Sequence, residues 1–208
     1  MAVKKFEIGP LGTNCYIFTD EKTGESVIID PAFPTDKLIE EVKKSDIKYI
    51  LLTHAHADHI MALHKVKELT GAKVVAHINE NERLHNPISN LHDALGCYTE
   101  SYVPEDIDIA VNDGDVIEFG EKIITVIHTP GHTDGSVCYL CENIIFCGDT
   151  IFQGSHGRTD FPSGSFSQMI DSFYKLSNLE GDYLMLPGHQ GSTTLKEERN
   201  FNPLSRYI

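Results

Sequence analysis

The stretch LLTHAHADHI, Leu51 to Ile60, decides how the rest of the chain is read. Two leucines and a threonine run into His54, His56, Asp58 and His59, with only alanines between them. The apolar lead-in IKYILLT is strand-like, so the polar residues fall where a buried strand ends. An extended backbone turns alternate residues to one side, which would point His54, His56 and Asp58 the same way. His59 would then open a helix. So tight a stretch has too little reach to wrap all four groups round one ion, whereas two neighbouring ions can share it.

Three later places have the same local form, an apolar run followed by histidine or aspartate. IHTPGHTDGS carries His132, IIFCGDT carries Asp149, and YLMLPGHQGS carries His189. Strand ends are rigid platforms, and the loops after them can converge. The full set is five imidazoles and two carboxylates. A closed structural zinc site takes four ligands. Seven are too many for one such site and too few to close two, unless a carboxylate or hydroxide bridges. The open positions left over mark a catalytic centre. Taken singly, each piece has an ordinary explanation. His-x-His occurs on surface loops, Pro-Gly-His in turns, and Gly-Asp as a helix cap. A single metal centre accounts for all four together. The other histidines, His64, His77, His85, His92, His128 and His156, lack such partners and read as ordinary core or surface residues. His128 is close enough to His132 to stand behind it, but nothing in the spacing requires that.

Composition narrows the remaining classes. The chain has 208 residues, 40% of them hydrophobic and 23% charged, which suits one globular domain with a substantial core. No apolar run approaches the ~20 residues of a membrane span. The start, MAVKKFEIGP, has no apolar stretch behind its lysines and does not read as a signal peptide. A cytoplasmic protein is the expectation. The net charge of -14 disfavours nucleic acid and anionic membranes as partners. Self-association stays open. Cys15, Cys97, Cys138, Cys141 and Cys147 are an odd set and read as reduced thiols. Cys138 and Cys141 form one C-x-x-C inside a strand-like run. Residues i and i+3 of a strand face opposite ways, so the pair reads as packing.

Strand-like runs VKKFEI, NCYIFTD and ESVIIDP come first, and TDKLIEEVKKSD follows as a helix capped by Thr35. HIMALHKVKELTG has apolar residues at helical spacing and ends at Gly71. KVVAH is a short strand and NENERLHN is helix-like. After an irregular stretch reaching Pro104 come strands DVIEF, KIITVIHT, SVCYLC and NIIFCGD. A helix, SFSQMIDSFYKLSN, a strand, DYLMLPGH, and a short helix, TTLKEERN, close the chain. Strands first and helices later in both halves favour one domain over residues 1–208, an α/β (α+β) fold with two sheets covered by helices. No G-x-G-x-x-G, Walker loop or G-x-S-x-G supports a nucleotide or serine-hydrolase reading.

THAHADH matches the T-H-x-H-x-D-H signature of the metallo-β-lactamase superfamily, and His132, Asp149 and His189 follow in the family order. The chain therefore resembles that superfamily along nearly its whole length. The resemblance implies a four-layer αββα sandwich with the site at one edge between the sheets. Within the superfamily, LGTNCYIF, TPGHTDGSVCYL and CGDTIF are similar to glyoxalase II, or hydroxyacylglutathione hydrolase. GRTDFPSGS and PGHQGSTTLKEERNFNPL resemble its short bacterial branch. By resemblance, His54, His56 and His132 hold one divalent ion, and Asp58, His59 and His189 hold a second. Asp149 and a water or hydroxide bridge them. The ions are expected to be zinc, with iron or manganese as alternatives. The implied substrate is a small acyl thioester such as S-D-lactoylglutathione, attacked by the bridging hydroxide with Asp58 orienting it.

Long glyoxalase II enzymes carry a C-terminal helical domain with glutathione-binding groups, whereas 19 residues follow His189 here. The loop IFQGSHGRTDF also lacks the Lys and Tyr contacts of the long enzymes. Arg158 is the candidate for binding an acidic substrate, with an ion pair to Asp160 as the structural alternative. Tyr98 and Tyr102 could line an entrance or be plain surface aromatics. Two rival activities use the same residues. A persulfide dioxygenase would use one iron on His54, His132 and Asp149. Another hydrolase would cleave a different ester or a lactone.

Overall fold

The computed structural model describes residues 2–95 and 102–208, with no side chain described for residue 95. Tyr98 and Cys97 lie outside the described residues. The first sheet holds β1 (Ala2–Ile8), β2 (Thr13–Thr19), β3 (Glu25–Ile29), β4 (Asp46–Leu51), β5 (Lys73–His77) and β6 (Ile109–Val111), in that spatial order. The second runs in the order β14 (Thr193–Thr194), β13 (Leu184–Pro187), β10 (Ile144–Gly148), β9 (Val137–Cys141), β8 (Lys122–His128), β7 (Val116–Phe119). After β10 in sequence, β11 (Ile151–Phe152) and β12 (Ser155–His156) make a small hairpin. The helices are α1 (Asp36–Val42), α2 (Ala57–Ile60), α3 (Leu63–Thr70), α4 (Glu80–His85), α5 (His92–Leu95), α6 (Phe166–Ser177) and α7 (Leu195–Phe201).

Three apolar layers explain why both sheets form. Alternate residues of a strand face opposite ways. In β2, Tyr16 and Phe18 face the second sheet, while Cys15 and Ile17 face outward under α1 and α3. The middle layer fills the gap between sheets with Val27, Ile29, Leu51 and Val75 from one and Phe119, Tyr139 and Phe146 from the other. The third layer packs Cys138, Ile145 and Cys147 beneath Met169, Phe173 and Leu176 of α6 and Leu195 of α7. Strands buried on both faces read as continuous apolar runs, which is the pattern of NCYIFTD and NIIFCGD. The C-x-x-C splits as its spacing required: Cys138 faces the helices and Cys141 faces the other sheet.

Strand direction sets where the loops go. β3, β4 and β5 are mutually parallel. β10 is parallel to β13, and both β8 and β10 are antiparallel to β9, so β8, β10 and β13 share one direction. The segments after β4, β8, β10 and β13 carry the seven candidate ligands.

Three local expectations are corrected. The helix begins at Ala57 with His56 as its N-cap, so Asp58 and His59 both lie in the helical turn and the extended run stops short of Asp58. The 60–71 helix is also broken. α2 ends at Ile60 and α3 starts at Leu63, because the Ala62 N–H bonds to Pro31 O at 2.9 Å and leaves the helical ladder. Thr193 and Thr194, read as helical, pair with β13 before α7 begins.

Phe146 is 1% exposed and packs edge-on to Tyr16 at 5.5 Å between ring centroids. Phe146→Ala is expected to cost about 3–5 kcal/mol. Urea unfolding should show a lower midpoint with an unchanged slope; an unchanged midpoint would contradict the packed inter-sheet layer.

Candidate metal centre

Tyr139 sets the height of the ligand loop. Its hydroxyl crosses from the second sheet and donates to Leu52 O at 2.8 Å. The Val137 N–H donates to Thr53 O at 2.9 Å. These bonds pin the chain one or two residues before His54. All seven predicted residues then meet at this edge. Three groups bring ligand atoms within 4.8 Å of one another: His54, His56 and His132; His54, His59 and Asp149; and Asp58, His59 and His189. Arg158 lies at the rim, and none of the six histidines read as ordinary enters these groups.

Asp149 stands between the two sides. Its Oδ1 is 3.4 Å from His59 Nε2, and its Oδ2 is 3.6 Å from His132 Nε2 and 3.5 Å from His189 Nε2. Asp58 Oδ2 lies 3.1 Å from His189 Nε2 and accepts from Thr13 Oγ1 at 3.0 Å. His56 Nδ1 approaches His132 Nε2 at 2.9 Å. A Cβ on Gly188 would stand 2.2 Å from Asp149 Oδ1, so the Pro-Gly-His turn needs glycine to let the carboxylate through.

The tautomers are set from behind. His132 Nδ1 donates to Arg158 O at 2.6 Å, and His59 Nδ1 donates to Asp30 Oδ2 at 2.9 Å. Asp30 also accepts the Thr53 N–H at 2.8 Å and the Thr53 hydroxyl at 2.7 Å. The Thr53 oxygen is then free to accept from His54 Nδ1 at 3.1 Å. For His54 and His132 Nε2 is left with its lone pair toward the centre, the usual arrangement behind metal-bound histidine, and for His59 the same bond turns Nε2 inward. His54 Nε2, His59 Nε2 and Asp149 Oδ1 are buried with no hydrogen-bond partner. Such orphaned atoms are costly unless something coordinates them. A divalent cation fits this donor set of imidazole nitrogens and carboxylate oxygens.

The two sides differ in charge. Burial first, then neighbouring imidazoles, hold His54 and His56 well below the usual histidine range, so both are neutral. Burial also works against a charged His59, but Asp58, Asp149 and Asp30 outweigh it and push the imidazole well up. His189 is raised the same way, mainly by Asp149 against burial. Burial raises Asp58, yet His59 and His189 bring it down to about 2.

A cavity of about 330 Å³ opens onto His56, Asp58, His132, Asp149 and His189, walled by Leu11, Leu91, Phe152, Phe161 and Arg158. The structural alternative for Arg158, an ion pair with Asp160, is present. Its guanidinium forms two bonds to Asp160, at 2.9 and 2.7 Å, yet it also lines the cavity, 4.2 Å from the Phe161 ring centre. Tyr102 is no entrance residue; it packs against Ala57 and Met61 beneath the ligand turn. His128 stacks on His77 across the sheets at 4.2 Å and donates to Asp134 O at 2.9 Å, steadying the His132 loop from outside. Sequence reasoning missed Asp30, although ESVIIDP has the same strand-then-aspartate form as the ligand segments. It also missed Leu11 and Leu91, for which no local signal exists.

The metallo-beta-lactamase superfamily model matches residues 8–189, and the chain belongs to that superfamily. The expected αββα sandwich is borne out, and the protein is a metal-dependent hydrolase of this class. It is 35% identical to a protein of Aquifex aeolicus (strain VF5), covering 99% of this chain and 97% of that one. It is 30% identical to hydroxyacylglutathione hydrolase GloC of Haemophilus influenzae, over 91% of each. Among solved structures, BLEG-1 B3 metallo-beta-lactamase superposes with a TM-score of 0.88 at 32% identity, covering 97% of this chain and 98% of that one. TTHA1623 in a di-iron-bound form gives 0.84 at 29%, over 96% and 98%. ETHE1 from Myxococcus xanthus gives 0.80 at 29%, over 98% and 84%. No helix among the described residues is long and apolar enough to cross a membrane.

The raised His59 and His189 fix the sign of a pH effect. The neighbouring carboxylates strengthen proton binding at both imidazoles, so metal coordination there competes with protons. Adding zinc to metal-free protein in weak buffer at pH 7 should release protons, and apparent affinity should rise with pH from 6 to 8. A flat profile with no proton release would contradict these assignments.

Proposed function

We propose that the protein is a binuclear hydrolase that cleaves a thioester, with S-D-lactoylglutathione as the representative substrate. One observation carries the reading: Asp149 turns one oxygen to His59 and the other to His132 and His189, the position of a shared ligand. In this reading His54, His56 and His132 hold one ion, and Asp58, His59 and His189 hold the other. Zinc is the first choice of metal. The di-iron form of TTHA1623 supports iron as an alternative, and manganese suits the same donors. The similarity to GloC supports the thioester.

Two divalent cations bound there would acidify a water and polarise the substrate carbonyl. The chain's own groups do the rest. Asp58, fixed by the Thr13 hydroxyl, keeps a carboxylate oxygen toward the centre. Leu11, Leu91, Phe152 and Phe161 hold the acyl part and exclude bulk water. Arg158, stacked on Phe161, takes an acidic group of the substrate. A thiolate leaving group has a conjugate-acid pKa of about 8.5, so it departs without a dedicated acid. Among the described residues lining the cavity, none outside the candidate ligand set is placed as such an acid. The enzyme works as one unit over residues 1–208, on a small molecule and not on nucleic acid or membrane, in the cytoplasm.

A second reading, one iron on His54, His132 and Asp149 with oxygen consumed, draws on the 3.6 Å approach of His132 to Asp149. Metal analysis paired with two assays separates them. Two ions with S-D-lactoylglutathione hydrolysis support the proposal, and one iron with oxygen uptake on glutathione persulfide overturns it. Asp149→Ala should lose most turnover and one ion; full metal content with near-normal turnover would sink the two-ion arrangement.

A further inference from the structure

Glu80 is fully buried at the start of α4 and lies outside the ligand groups. Its carboxylate reaches two ligand loops at once. Oε2 accepts the Ala55 N–H at 2.8 Å, and Oε1 accepts the Thr133 hydroxyl at 2.6 Å. Ala55 is the residue between His54 and His56, and Thr133 directly follows His132. The three histidines flanking these contacts are one of the three potential ligand groups. The hydrogen bonds of Glu80 go to Ala55, Arg83 and Thr133, on the side of those histidines and away from Asp58, His59 and His189.

The surroundings are arranged around this carboxylate. Arg83 Nη1 donates to Oε2 at 2.9 Å, which offsets the charge, and the side chain of Arg83 is itself 6% exposed. Arg83 Nη2 continues to Asp134 at 3.1 Å, on the same loop as His132. Ser136 Oγ lies 2.8 Å from the Thr133 oxygen, so Thr133 can accept there while donating to Glu80. A Cβ on Gly135 would come within 2.5 Å of Glu80 Oε1, so glycine is needed for the carboxylate to sit this close. A buried carboxylate is costly unless a counter-charge and several donors satisfy it. Here every donor except Arg83 belongs to a ligand loop. Asp30 acts elsewhere, bonding His59 directly and reaching His54 through Thr53. Glu80 joins the loop after β4 to the loop after β8, which come from different sheets.

We propose that Glu80 is a positioning residue for the ion held by His54, His56 and His132, clamping the two loops that supply those ligands. The inference rests on the two-ion reading above. Its test is zinc affinity of the full chain, measured by competition with a chromophoric chelator. Asp58→Ala removes a ligand of the other ion and gives a one-ion background. In that background Glu80→Ala should weaken zinc by roughly 10–100-fold, the usual effect of losing a group behind a ligand. Glu80→Gln keeps a carbonyl acceptor for Ala55 and should restore affinity to within about threefold, its amide group turning to the Thr133 oxygen as a donor. With Asp58 intact, Glu80→Ala should weaken one ion and spare the other, whereas a general loss of structure would weaken both. Thr133→Val cuts one arm alone, should weaken the same ion about tenfold, and decides the matter if Glu80→Ala does not fold. Unchanged affinity in the one-ion background, equal weakening of both ions, or no rescue by glutamine would each overturn the proposal. Wild-type protein that binds a single ion would sink the two-ion reading instead, and the Glu80 comparison is then made in wild type.

Discussion

The constraint on which this structure turns is the burial of polar side chains at one edge of a sandwich. Six of the seven candidate ligands, His54, His56, Asp58, His59, His132 and Asp149, are 9% exposed or less. Buried charge and unpaired imidazole nitrogen are unfavourable unless each finds a partner. The chain meets this with a second ring of fixed acceptors: Asp30 behind His59 and Thr53, Arg158 O behind His132, and Thr53 behind His54. Each of these bonds on an outer nitrogen turns the inner one toward the centre. The strain of the loops follows from the same demand. Asp30 adopts a φ of 49°, a left-handed conformation that non-glycine residues seldom take, and its carboxylate collects three bonds in return.

The uneven distribution of charge follows from which strand end supplies which residue. The loop directly after β4 carries histidines that stay neutral, while the α2 turn and the end of β10 bring carboxylates beside His59 and His189. The carboxylates of Asp58 and Asp149 favour the charged forms of His59 and His189. A divalent ion would compete with that proton binding on the carboxylate side. On the imidazole side it would find lone pairs already free. The two halves of one cluster therefore present different work to an incoming ion, although a single tight sequence motif supplies most of both.

Much of this was legible because ligand residues follow apolar strands. His54, His132, Asp149 and His189 each stand out after a mainly apolar run, and NIIFCGD marks a strand buried on both faces. The long strands were equally plain. β6, β11 and β12, with three, two and two residues, are too short to show any period. The helical turn at Ala57 was hidden because alternation and helix start overlap in HAHADH. Glu80 was invisible for another reason. It sits in NENERLHN among other polar residues, and its partners Ala55 and Thr133 are 25 and 53 positions away. A side chain that acts by joining distant loops leaves no local pattern.

Arg158 makes two separate contributions at the site, one from its backbone and one from its side chain. Its backbone carbonyl orients His132, a contact that survives any change of side chain short of moving the loop. Its guanidinium lies over Phe161 on the cavity wall and is held by Asp160, and the side chains of this ion pair are both solvent-exposed. An exposed pair of this kind contributes little to stability, so the proposed exchange of a substrate carboxylate with Asp160 costs little. The apolar walls offer no such exchange. Leu11, Leu91, Phe152 and Phe161 present apolar surface to the cavity, and Leu91 has a φ of 66°. The ligand scaffold is thus fixed by buried backbone bonds from two sheets. The wall rings are tied to that scaffold, Phe152 edge-on to His189 at 5.9 Å and Phe161 edge-on to His56 at 5.8 Å between ring centroids.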